Sequence, residues 1–159
     1  MSPKGVFTED ARREIAEAIQ AAERNTSGEI RVMVRARCDA DILPRCGTDF
    51  GGRAYDQAVR EFERQGMTKT RDRTGVLILL VWEERRFAIV GDTGIHAKLG
   101  DDYWIVRIVE LKSYFVAGEY VRGLVAVVGN VGRELAKHFP RKADDRDELP
   151  DAPIVEDNR

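Results

Sequence analysis

Apolar positions fall into three patterns along the chain, and each pattern predicts an element. From Val76 to Trp82 they run without interruption, as in a strand buried on both faces. Glu83-Glu84-Arg85-Arg86 is too charged to bury, and Phe87–Val90 is a second short apolar run. This order predicts an antiparallel hairpin with the charged quartet at its tip. Ile30, Val32, Val34 and Ala36 instead alternate with Arg31, Met33, Arg35 and Arg37, the period of a strand with one face in the core. The three arginines form a basic stripe on the other face. It attracts an anion, is a solvated face, or pairs with acidic helix residues, and the last two are the simpler readings.

A helical period appears in four places. Ala11, Ile15, Ala18, Ile19 and Ala22 follow Thr8, a suitable N-cap, with Glu9 and Asp10 at the positive end of the helix dipole. Arg53–Gln65 places Ala54, Tyr55, Ala58, Val59 and Phe62 on one face, with Gly66 as a stop. After the Gly91–Gly94 turn, Ile95–Leu99 reads as one helical turn. Asp101 or Asp102 then opens a helix whose apolar face is Ile105, Ile108, Val109 and Phe115. Tyr120–Phe139 is the last helix, and its internal Gly123, Gly129 and Gly132 are expected to serve close packing. Strand, helix, strand in that order implies a right-handed crossover, with the first strand parallel to the second. The fold expected is α/β, a three-layer α/β/α sandwich on a small mixed sheet. It spans residues 7–140 and is followed by a charged, flexible tail over 141–159.

Composition narrows the function classes. The 159 residues are 43% hydrophobic and 34% charged, with a formal net charge of −2, as in an ordinary globular domain. The scattered charge gives no reason to expect nucleic-acid binding. No apolar stretch approaches the ~20 residues of a bilayer span, and MSPKGVFTED carries no apolar signal core. Direct membrane insertion is therefore not expected, and the chain reads as a cytoplasmic monomer. Cys38 and Cys46 flank a long connection and are expected to be free thiols. Neither they nor His96 and His138 form a set with zinc spacing.

The topology makes a candidate site. The starts of the two parallel strands and the end of the third share one pole of the sheet. Glu29 stands at the first, Asp72 before the second and Asp92 after the third, with Asp101 and Asp102 a short segment beyond. Crowded carboxylates repel unless a cation or basic groups compensate, and Ca²⁺ and Mg²⁺ take oxygen ligands of this kind. Alternatively, Asp92 is a turn residue, Asp101 or Asp102 a cap, and Lys69, Arg71 and Arg73 the compensating charges. The opposite pole, with Asp39, Asp41, Glu83 and Glu84 among Arg37, Arg85 and Arg86, reads as a solvated hairpin tip, although open sheets usually bind ligands at that end.

The ordered segments TSGEIRV, TRDRTGVLILLVWEERRFAIVGDTGIHAKLGD, FVAGEYVRGLVAVV and HFPRKADDRDELPD resemble the TPM domain family over Phe7–Asp151. The resemblance implies the same sandwich, divalent-cation binding by acidic loops, and the phosphatase activity attributed to plant members. It places Asp72, Asp92, Asp101 and Asp102 at recurrent family positions, and geometry adds Glu29. The function expected is a Ca²⁺- or Mg²⁺-stabilised interaction or regulatory module with a possible protein partner. The alternative is a metal-dependent phosphatase acting on phosphomonoesters, without an assigned nucleophile.

Overall fold

A computed structural model describes residues 2–44, 52–143 and 151–157. Its elements are α1 (Pro3–Val6), α2 (Glu9–Glu23), β1 (Glu29–Arg35), α3 (Arg53–Arg64), β2 (Gly75–Val81), β3 (Arg86–Gly91), α4 (Thr93–Val116), α5 (Tyr120–His138) and β4 (Ile154–Glu156). The strands form one mixed sheet in the order β3-β2-β1-β4. β1 runs parallel to β2 in the register Glu29↔Gly75 to Arg35↔Val81, and β3 returns antiparallel from Val81↔Arg86 to Val76↔Gly91. β2 is central and every residue in it is buried, as its unbroken apolar run requires.

Alternation along the strands divides the core in two. Ile30, Val32, Val34, Ile78 and Leu80 face a large cluster with Ile15 and Ile19 of α2, Trp104, Ile108 and Leu111 of α4, and Leu124, Val128 and Val131 of α5. Met33, Leu77, Leu79, Val81 and Ala88 face a smaller cluster with Ala54, Ala58 and Phe62 of α3. The result is the expected α/β/α sandwich, with three longer helices on one face and α3 on the other.

Three expectations need correction. The tail is not free along its length: Ile154–Glu156 pairs parallel to Met33–Arg35. Val155 is buried there, and the Lys4 amide donates to Asp157 Oδ1 at 2.9 Å. A three-residue strand in a charged segment shows no period of its own, and its partner edge exists only once β1 has folded. Second, α3 buries Gln57 and Glu61 along with Ala54, Ala58 and Phe62, whereas Val59 is 37% exposed. The cause is Arg35, a buried cation that draws these polar side chains inward. Third, α4 presents Trp104, Ile108, Leu111 and Phe115 to the core, leaving Ile105 and Val109 at 40% and 63% exposure. The expected break before this helix is a kink at Gly100, whose φ of 75° is left-handed. The arginine stripe does pair where it is buried deepest, as expected: Arg35 bonds Glu61 and Asp39, each at 2.8 Å. Cys38 is a buried free thiol, and burial pushes it up to about 12. Cys46 lies outside the described residues.

Candidate functional site

Strand register builds the acidic pole. Glu29 begins β1 opposite Gly75, and Gly91 ends β3 opposite Val76. The Glu29 amide donates to Thr74 O at 3.1 Å and the Asp92 amide to Gly75 O at 2.9 Å, so both acidic residues are tied to the start of β2. Both glycines of the GDTG turn are held to that residue type by close neighbours. A Cβ on Gly91 would meet Trp104 at 2.7 Å, and one on Gly94 would meet Asp72 O at 2.6 Å. The Asp72–Arg73 loop is therefore packed directly on the first turn of α4.

The predicted residues have different surroundings. Asp92 is buried: Oδ1 accepts from the Thr93 amide as the α4 N-cap, and Oδ2 takes the Arg73 guanidinium at 2.9 Å. Asp72 is partly exposed, 3.5 Å from Lys142 Nζ. Asp101 is exposed, 3.3 Å from His96 Nε2, and Asp102 is exposed beside it. The register thus gathers Glu29, Asp72 and Asp92 at one end of the sheet, with basic partners on Asp72 and Asp92. Among the described residues no three Asp, Glu, His or Cys side chains form a ready-made metal centre.

Sequence reasoning missed the member that matters most to the electrostatics. Glu23, at the end of α2, is 2% exposed. Its Oε2 accepts from the Ile30 amide at 2.9 Å, while Oε1 has no hydrogen-bond donor among the described residues. Burial, then the Asp151 side chain and the Glu29 charge, push the Glu23 carboxyl up to about 11. Carboxylates lack donors of their own, so this group needs a proton or another cation. The sequence signal was weak: Glu23 lies on the buried stripe Ile15–Ile19, four residues further on.

At the opposite pole the hairpin tip is exposed at Glu83, Arg85 and Arg86, as expected, and a buried ionic network lies beside it around Arg35. Glu61 accepts from Arg35 and from Gln57 Nε2 at 3.0 Å. Asp39 receives Arg35, Arg60 and Arg64 at 2.8, 3.0 and 2.9 Å. Burial alone would raise the Asp39 carboxyl, but the hydrogen bonds from Arg60, Arg35 and Gln57 outweigh it and hold it well below the usual carboxylate range. Arg53 closes on Glu84 at 3.0 Å and Arg37 on Glu83 at 3.7 Å.

A four-stranded mixed sheet between helical layers, with acidic loops at the amino end of its parallel pair, defines an α/β sandwich domain. The family model of the TPM domain matches residues 1–134, and the chain belongs to that family. The NMR structure of the BA42 protein from the psychrophilic bacterium Bizionia argentinensis is similar at 35% identity and a TM-score of 0.79, covering 93% of this chain and 94% of that one. The N-terminal domain of a P. gingivalis protein shares the fold at 21% identity and a TM-score of 0.63, covering 84% and 79%. No curated protein matches. No helix among the described residues is long and apolar enough to cross a membrane.

Proposed function

We propose that this TPM domain is a divalent-cation-responsive interaction module. Glu29 and Glu23 would be the central oxygen donors for Ca²⁺ or Mg²⁺ at its acidic pole, with Asp72, Asp92, Asp101 and Asp102 around them. The observation that carries the reading is Glu23 Oε1, a buried carboxyl oxygen without a donor among the described residues, beside the Glu29 and Asp151 carboxyls. Hard cations take such oxygens. A bound cation would neutralise these carboxyls and fix the segments that carry them. Asp92 joins the ligand set only by releasing Arg73, so its part is secondary to that of Glu29.

The test is the melting midpoint. A cation that binds only the folded form adds about 2.7 kcal/mol at a hundred times its dissociation constant. At roughly 2–4 °C per kcal/mol for a domain of this size, the midpoint should rise by about 5–10 °C. NaCl at matched ionic strength should not reproduce the rise, and Glu29→Gln should abolish it. An unchanged wild-type midpoint would end the reading, and an undiminished rise in Glu29→Gln would put the cation elsewhere.

Phosphomonoester hydrolysis is the second reading. Arg73 favours it, because a half-exposed guanidinium stands at the same pole, as a phosphoryl site requires. Turnover of an aryl phosphate that stops on chelation and in Asp92→Asn would support it. Cation binding without turnover would favour the interaction module.

A further inference from the structure

A separate cavity of about 250 Å³ lies between the β2–β3 hairpin tip and the corner where α4 meets α5. Its wall is aromatic. Trp82 packs edge-on against Tyr120 with centroids 5.0 Å apart, Tyr120 against Phe115 at 4.9 Å, and Phe115 against Phe87 at 4.7 Å. Leu80 also lines it, and Val116, 82% exposed, stands at its edge.

The polar groups around this wall are basic or neutral. Arg85 lies over the Trp82 ring at 4.6 Å, lines the cavity, and makes no ion pair among the described residues. Lys112 also lines it. The nearby carboxylates are engaged elsewhere: Glu83 with Arg37, Glu84 with Arg53, and Glu119 with Arg122 at 3.4 Å. An aromatic cluster of this kind often receives an organic cation. Here the Arg85 guanidinium already covers Trp82 and would repel a second cation. An apolar body with a negative group satisfies both the wall and the rim.

We infer that this cavity binds a small amphipathic carboxylate, its aryl or short aliphatic body against Trp82, Phe115 and Tyr120 and its carboxylate at Arg85. Benzene fills an apolar cavity of about 150 Å³, so this one has room for a phenyl ring or a chain of roughly eight carbons. The site is at the pole opposite Glu29 and does not depend on the cation proposal.

Octanoate below its micellar range, titrated onto the ¹⁵N-labelled full chain, provides the probe. Saturable shifts should appear at the Trp82 indole N–H and at amides of Leu80–Phe87 and Phe115–Tyr120. Octan-1-ol should bind at least about tenfold more weakly, the worth of one charge-assisted hydrogen bond. Arg85→Gly should erase that difference and still fold, because Arg85 has a φ of 52° that glycine adopts without strain. The inference would be overturned by no saturable shift, by equal wild-type affinity for acid and alcohol, or by shifts confined to the acidic pole. Sedimentation with phosphatidylglycerol vesicles by a chain that ignores octanoate would mean a membrane-facing patch, and would overturn it too.

Discussion

Glu23 shows how one side chain sets a cost that the rest of the domain carries. Its carboxyl rises from an ordinary 4.5 to about 11 on folding, so the folded state holds a proton that the unfolded chain releases above pH 4.5. Stability linked to this group is therefore complete below 4.5 and declines as pH rises toward 11. Glu23→Gln, a neutral isostere of the protonated form, should stabilise the metal-free domain at about pH 8, by an amount that grows with pH above 4.5. The gain should vanish below pH 4.5. Urea unfolding in chelator at both pH values checks this, and a gain independent of pH would mean that Glu23 is ionised in the fold. Neither Glu23 nor the Gln57–Glu61 pair was legible in the sequence. A polar residue on an apolar stripe looks like a flaw in the pattern until its partner, here the Ile30 amide or Arg35, is placed in three dimensions. Glu29, Asp72 and Asp92 were legible as a group because strand direction alone brings them to one end.

Among the elements, α5 shows what small residues do. A Cβ on Gly132 would stand 2.5 Å from the Ala22 Cβ, and one on Gly123 would stand 2.6 Å from the Tyr114 Cβ. A Cβ on Gly129 would meet only the Arg133 guanidinium, at 3.5 Å. Gly132→Ala should therefore lose about 1–2 kcal/mol by overpacking against α2, whereas Gly129→Ala should gain roughly 0.5–1 kcal/mol of helix propensity. Chemical denaturation of both variants measures the contrast, and equal effects would mean that α2 and α5 do not pack this closely. Close packing of α5 was readable from Gly123 and Gly132, whereas Gly129, expected to serve it too, does not. The orientation of α4 was not, since Ile105 and Val109 are as apolar as Ile108 and Leu111 and nothing polar marks the outward face.

For the molecule as a whole, the sheet closes its β1 edge with the chain's own C-terminal segment. Val155 enters the larger core cluster, and burying such a side chain is worth about 1.5–3 kcal/mol. Truncation after Ala152 should lower the melting midpoint by several degrees, at roughly 2–4 °C per kcal/mol. An unchanged midpoint would mean that β4 adds nothing to stability. The hairpin and the parallel β1–β2 pair were legible because both follow from apolar runs longer than chance and from the order of elements. β4 was not, because three residues carry too little pattern to announce a strand.

The proposed cation site lies at the amino pole of the parallel strands rather than at the carboxyl pole usual for open sheets. Backbone amide shifts during a Ca²⁺ titration of the full chain separate the two directly. Binding there should move Ile30, Thr74 and Gly91–Thr93 saturably while Arg35, Asp39 and Glu61 stay still, and Glu29→Gln should abolish the movement. Movement centred on the Arg35–Asp39–Glu61 network, or no saturable movement at either pole, would contradict it.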